Sequence, residues 1–193
     1  MNAHLAANLH LTPVTTSHAD ALALLVQANS AHFNAWLPAV AALAMADDAR
    51  TSLQEVVDRA GDGGLLQWHI FDGHVLCGSV RLKDIDPFQR GASIGYFIGA
   101  GHQGRGIATA AVRAVLAHAF GTLRLRRIEL VCATDNEAST RVAGRLGFAR
   151  VGRRQQAELL HGVYVDHFIY QLLAHDFDAN VAPPGSPAFY TQP

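Results

Sequence analysis

Gly95-Tyr96-Phe97-Ile98-Gly99-Ala100-Gly101-His102-Gln103-Gly104-Arg105-Gly106-Ile107-Ala108-Thr109 is the stretch on which the fold turns. A strand-like run from Ala92 to Ile98 enters a glycine-rich loop, and the loop enters a helix. Ile107, Ala108, Ala111, Val112, Val115, Leu116, Ala119 and Phe120 recur at helical spacing and form one apolar face. A helix start leaves its first backbone N–H groups without partners, and the helix dipole favours negative charge there. The junction is therefore suited to a phosphate. Gly104 and Gly106 allow close approach and unusual backbone angles, and Arg105 offers a positive charge. The glycines at 101, 104 and 106 read G-x-x-G-x-G, which is not the G-x-G-x-x-G dinucleotide fingerprint. No Gly-Lys-Ser/Thr follows, which excludes the P-loop. A glycine-rich connection holding no ligand is the alternative these residues leave open.

Upstream, Leu9–Val14 reads as a strand, and Ser17 offers a helix N-cap ahead of Ala21, Leu24, Leu25 and Ala28. Asn34–Pro38 should end or bend that helix, because proline excludes the helical conformation before it. A second helix is expected over Asp48–Ala60, stopped by Gly61. Leu65–Phe71 and Val75–Leu82 flank an Asp72-Gly73 turn signal and read as a hairpin. Downstream, Arg127–Ala133 is a strand, Glu137–Leu146 a helix closed by Gly147, and Ala149–Arg153 and Val163–Leu173 the last strands. The order gives one mixed α/β domain over residues 1–177 with a mostly antiparallel sheet. Residues 178–193 hold four of the seven prolines and read as an extension.

Composition narrows the function classes. Half of the 193 residues are hydrophobic and 16% are charged, with a formal net charge of −1, so nothing marks a nucleic-acid or membrane-surface binder. The two cysteines, Cys77 and Cys132, lie in apolar strand-like stretches and give no disulfide framework. No basic start with an apolar run opens the chain and no long apolar span occurs, which leads to the expectation of a cytoplasmic protein. The eleven histidines are scattered, and none has the spacing of a zinc site, so no metal is expected.

Gln103-Gly-Arg-Gly106-Ile-Ala108 resembles the Q/R-x-x-G-x-G/A signature of the GCN5-related N-acetyltransferases. Gly95-Tyr-Phe, Ala119-Phe120, Asn136-Glu-Ala-Ser139, Leu146-Gly-Phe148, Gly162-Val-Tyr164-Val-Asp166 and Trp36-Leu-Pro38 extend the likeness, in order, to the RimJ/RimL branch. Phe97 departs from that branch's frequent tryptophan and keeps an aromatic there. The resemblance covers residues 9 to 175 and implies a central sheet splayed between two parallel strands and flanked by helices. It implies acetyl-CoA as co-substrate, with its pyrophosphate held by Gln103, Gly104, Arg105, Gly106, Ile107, Ala108 and Thr109. The backbones of Phe97 and Ile98 would pair with the pantetheine arm. It also implies an acceptor amine, a protein N-terminal α-amino group in this branch, and admits a homodimer.

Roles follow with their alternatives. Asn136 would contact the cofactor arm, or cap the following helix, or both. Ser139 would protonate the departing thiolate, or it is ordinary first-turn surface. Glu158, expected just before the last hairpin, would act as base through water, or be a solvated charge. Asn34 and Trp36, in the loop between the first helices, would border the acceptor, or Trp36 is core; Tyr164 would shape the acceptor site, or hold the hairpin as Asp166 would. A non-catalytic acyl-CoA-binding regulator and a small-amine acetyltransferase are the competing functions.

Overall fold

The computed structural model describes residues 1–5 and 8–178. Among the described residues eight strands form one sheet: β1 (Ala3–His4), β2 (Leu9–Pro13), β3 (Leu65–Asp72), β4 (Val75–Asp86), β5 (Gly91–Ile98), β6 (Arg127–Ala133), β7 (Ala149–Leu160) and β8 (Val163–Leu173). Their spatial order is β1-β2-β3-β4-β5-β6-β8-β7. Every neighbouring pair is antiparallel except β5 and β6, which run parallel. The helices are α1 (Ala19–Ala28), α2 (Ser30–Trp36), α3 (Pro38–Ala41), α4 (Ala46–Gly61), α5 (Ile107–Gly121) and α6 (Glu137–Arg145).

Strand alternation divides the core between the two faces. On one face Trp68, Ile70, Val80, Leu82, Ile94 and Leu130 meet the buried stripe of α5, namely Ala111, Val112, Val115, Leu116 and Ala119. Burying each such Val or Leu contributes about 1.5–3 kcal/mol. On the other face Leu65 and Leu76 meet Leu22, Val26, Phe33 and Leu53 from α1, α2 and α4. Cys77 and Cys132 are both buried and unpaired. No helix among the described residues is long and apolar enough to cross a membrane.

The parallel pair positions the site. β5 and β6 are in register from Gly91↔Arg127 to Ile94↔Leu130, and pairing stops there. Beyond that point β5 stays bound to β4 through Ile98↔Gly78, and β6 stays bound to β8 through Ala133↔His167. The two inner edges diverge and leave a slot through the sheet.

Several local expectations change. Asn34 and Trp36 lie on a helix, α2, and not in a loop. Phe33 is buried against Phe97 with ring centroids 5.3 Å apart, and this tertiary contact holds the turn that local sequence leaves undecided. Pro38 still breaks the chain: Leu37 has φ −142° and ψ 65°, and α3 restarts with Pro38 in its first turn. Ser17 does not cap α1. It lies in a short 3-10 turn, Thr16–His18, and its hydroxyl meets that of Thr15 at 2.6 Å. β7 continues to Leu160, so Glu158 lies inside a strand. Pairing with β8 carries it across two register shifts, with Gln156 at φ 47°. At the far end Phe177 packs on Phe120 at 5.3 Å, and Arg113 donates to the carbonyl of Asp178 at 3.0 Å. The rest of the expected proline-rich extension, from 179 onward, lies outside the described residues.

Candidate active site

The slot between β5 and β6 opens into a cleft of about 440 Å³. Its floor is the start of α5. Gly106 is the N-cap at φ 75°, and no side chain caps the helix. Ala110 is the first residue of α5 whose N–H finds a backbone acceptor, the Gly106 carbonyl at 3.0 Å. The N–H groups of Ile107, Ala108 and Thr109 come before it, in the open first turn. Gly104 shares the left-handed conformation at φ 72°. A Cβ added at either glycine would meet no heavy atom of the described residues within 4 Å, so those residues leave the space above the loop open.

Thr109 supplies an independent sign. It is 2% exposed, and its hydroxyl has no hydrogen-bond partner among the described residues. A buried, unmatched hydroxyl in an open helix start is costly unless a ligand completes it. Among the described residues no carboxylate lines the cleft, whereas Arg141, which pairs with Glu137 at 3.0 Å, and Arg145 of α6 do. Open N–H groups, an orphaned hydroxyl, two guanidiniums and a helix dipole together fit a phosphorylated ligand.

The walls come from both faces of the sheet. Phe97 alternates to the α2 side, where His32, Phe33, Trp36 and Leu37 complete the wall. His32 Nε2 lies 3.2 Å from the Ile98 carbonyl and 3.0 Å from the Gln103 amide, tying α2 to the loop. One tautomer cannot donate to the carbonyl and accept from the amide through the same nitrogen. Tyr96 alternates to the other side and faces α6. There Asn136 is the N-cap, and its Oδ1 accepts from the Ser139 N–H at 3.0 Å. The Ser139 and Tyr96 hydroxyls meet at 3.1 Å. Burial pushes the Tyr96 phenol up to about 12.

Of the residues singled out from sequence, Trp36, Phe97, Ile98, Gln103, Gly104, Gly106, Ile107, Ala108, Thr109, Asn136 and Ser139 line this one cleft. Arg105 does not. Its guanidinium turns to Asp72 at 2.9 Å and to His102 at 3.2 Å, because the Asp72 carboxylate is an available anion. Asn34 does not line the cleft either; its carbonyl accepts from His161 Nε2 at 2.7 Å, which pins the β7–β8 hairpin tip to α2. Tyr164 is 61% exposed, outside the lining. Glu158 also stands outside it and contacts His167 Nε2 at 3.1 Å. Asp166 binds Arg153 and the Gln156 N–H, so it holds the hairpin. Those two donors, with Arg153's charge, keep its carboxyl below the usual range.

Sequence reading gave no role to Tyr96, His32, Arg141 or Arg145. The spacing of 138, 141, 142 and 145 was a usable signal, since these positions share one helix face with Ser139. His32 carried no such signal, because its partners are some seventy positions away.

Likenesses to known proteins bear on this arrangement. A family model described as an acetyltransferase (GNAT) domain matches residues 8–149. The putative ribosomal N-acetyltransferase YdaF of Bacillus subtilis is 32% identical over 166 residues, covering 83% of this chain and 88% of that protein. The ribosomal-protein-serine acetyltransferase of Escherichia coli is 35% identical over 124 residues, covering 64% and 69%. The solved structure of RimL, a ribosomal L7/L12 alpha-N-protein acetyltransferase in complex with coenzyme A, superposes with a TM-score of 0.85 at 28% identity, covering 90% of this chain and 98% of that one. By the family model, by these relatives and by its splayed sheet, the chain belongs to the GNAT acetyltransferases.

Proposed function

We propose that this enzyme moves the acetyl group of acetyl-CoA onto the α-amino group of a protein N-terminus, with ribosomal proteins as the acceptor class. One observation carries the chemistry: the open first turn of α5 and the Ser139 hydroxyl share a single cleft. The acceptor class is supported by the names of the relatives above, which describe ribosomal N-acetyltransferases. It is also supported by access. Helices α1 and α4 pack over β3 and β4, and α2 covers Phe97, whereas Val131 of β6 on the same face stays exposed. A chain terminus can approach over that bare sheet.

The residues divide the work. Backbone N–H groups of Ile107 to Thr109, with the Thr109 hydroxyl, hold the pyrophosphate. Past Ile94 the inner edge of β5 has no strand partner, and there the Ile98 backbone, whose carbonyl meets His32 Nε2, pairs with the pantetheine amides as a strand would, while the Phe97 backbone pairs with Ser79 of β4. For the transfer, the acceptor ammonium loses a proton, the new N–C bond forms as the C–S bond breaks, the nitrogen sheds a second proton to solvent as it becomes the amide, and the thiolate gains a proton. We assign the last proton to Ser139, which Asn136 holds in the first turn of α6. We assign the first to Glu158, backed by His167, through intervening water. Alternation in β8 puts His167 on the sheet face of Phe97 and Val131, opposite Phe168 and Tyr170.

An acetyl-transfer assay with peptides of varied N-terminal residue, and with small amines and polyamines in parallel, tests the assignment. Free N-terminal peptides should be turned over and blocked ones left intact. Faster kcat/KM on small amines would overturn the acceptor. Acetyl-CoA binding without turnover of any acceptor would leave a regulator.

A further inference from the structure

Two tyrosines bond to neighbouring residues of α6. Tyr170 donates to the Thr140 hydroxyl at 3.3 Å, and neither residue lines the cleft. Tyr96 meets the Ser139 hydroxyl at 3.1 Å, and both residues line it. We propose that Tyr96 is a positioning residue for the transfer step: its phenol donates to the Ser139 oxygen and so aims the serine's own O–H at the leaving sulfur. This rests on the assignment of Ser139 as the proton donor to the thiolate.

The geometry supports one arrangement of hydrogens. A serine hydroxyl has one proton and two lone pairs. A phenol is the stronger donor of the two hydroxyls. Burial pushes the Tyr96 phenol up to about 12, so it keeps its proton throughout the working range of pH. Among the described residues neither hydroxyl has another hydrogen-bond partner. With Tyr96 donating, the Ser139 proton has no protein acceptor left and is free to point into the cleft. The backbone is already fixed, since the Ser139 N–H is held by Asn136 Oδ1 at 3.0 Å. The remaining freedom is the rotation of one hydroxyl, and that is what Tyr96 removes. A 3.1 Å contact is long for O–H···O, and such bonds shorten when substrate closes the site.

The step balances simply. The Ser139 O–H proton goes to the thiolate sulfur, while the Tyr96 phenol keeps its own proton and its hydrogen bond to the serine oxygen. The acceptor ammonium gives up two protons in becoming an amide N–H: one is matched by the proton that solvent returns to the serine oxygen, and the other is the net proton released.

Steady-state kinetics on the wild type, S139A, Y96F, the Y96F/S139A double variant and Y170F test this. S139A should lower kcat about a hundredfold, the scale of general acid catalysis. Y96F should lower kcat about tenfold, the scale of one hydrogen bond, with the KM for acetyl-CoA unchanged. The double variant should be no slower than S139A, because Tyr96 acts through that hydroxyl. Y170F, which deletes an equivalent hydroxyl outside the cleft, should keep wild-type kcat even if its melting point falls. Wild-type kcat in Y96F beside a slow S139A overturns the role of Tyr96 alone. So does a double variant slowed by the product of the two single effects. Full kcat in S139A overturns the acid assignment and the role of Tyr96 with it. Should Y96F not fold, S139T keeps the hydroxyl but crowds Tyr96: an S139T as slow as S139A supports the proposal, and wild-type kcat in S139T overturns it.

Discussion

Thr109→Val separates the cost of an unliganded site from its use. In the free protein the Thr109 hydroxyl is buried and unbonded. An unmatched buried hydroxyl costs about 1–3 kcal/mol. Valine keeps the branched shape and removes the polar atom, and the side chain already packs at 2% exposure. Taking the lower figure, the free variant should be more stable by about 1 kcal/mol, or about 2–4 °C in a domain of this size. With acetyl-CoA the sign reverses. A hydroxyl bonded to a charged phosphate is worth about 1.5–3 kcal/mol, so affinity should fall about tenfold to a hundredfold. At one ligand concentration a tenfold loss removes about 1.4 kcal/mol of linked stabilisation. Thermal melts of both proteins, with and without acetyl-CoA, read both effects together. The variant should melt higher alone and gain less on adding ligand. A variant that melts lower alone yet keeps the full ligand shift would refute the assignment of this hydroxyl to the phosphate.

Two further perturbations follow from other features. Gly106→Glu forces a side chain into φ 75° and sets a carboxylate over the open helix start; it should abolish the acetyl-CoA melting shift, and retained binding in calorimetry would show the loop is not the phosphate site. His69 is fully buried, with its Nδ1 3.1 Å from that of His18, and burial with the His18 charge pushes it down to about 3. Its stabilising contribution is complete above its ordinary value of about 6.5 and is lost as pH falls toward 3, amounting to about 2 kcal/mol at pH 5. The wild type should therefore melt about 4–8 °C lower at pH 5 than at pH 7, and His69→Leu should lose much less; equal losses in both would remove His69 as the cause.

The half of the cleft proposed to hold phosphate was legible in the sequence. Glycines at 104 and 106 followed by an apolar helical stripe are local facts, and local facts set where an open helix turn must fall. The half proposed to handle protons was legible only in part. Ser139 and Asn136 were visible as the start of a helix, but Tyr96 stood in a quoted motif without a role. Its partner lies 43 positions away, on an element whose approach depends on how β5 and β6 part. Glu158 and Tyr164 were singled out by resemblance, and they stand outside the cleft lining, on a hairpin whose tip His161 ties to α2.

The sequence by itself determined the strand–loop–helix junction, the antiparallel hairpins and the break at Pro38, because each depends on backbone preferences within a few residues. The tertiary structure decided what the junction faces. Pairing of β5 with β6 ends at Ile94↔Leu130 while each strand stays bound to its outer neighbour, and that divergence creates the cleft. It also turned the Asn34–Trp36 segment into a helix through Phe33 on Phe97, and turned Arg105 away toward Asp72. These outcomes rest on contacts between residues far apart in the chain, whose energies exist only once the sheet has formed.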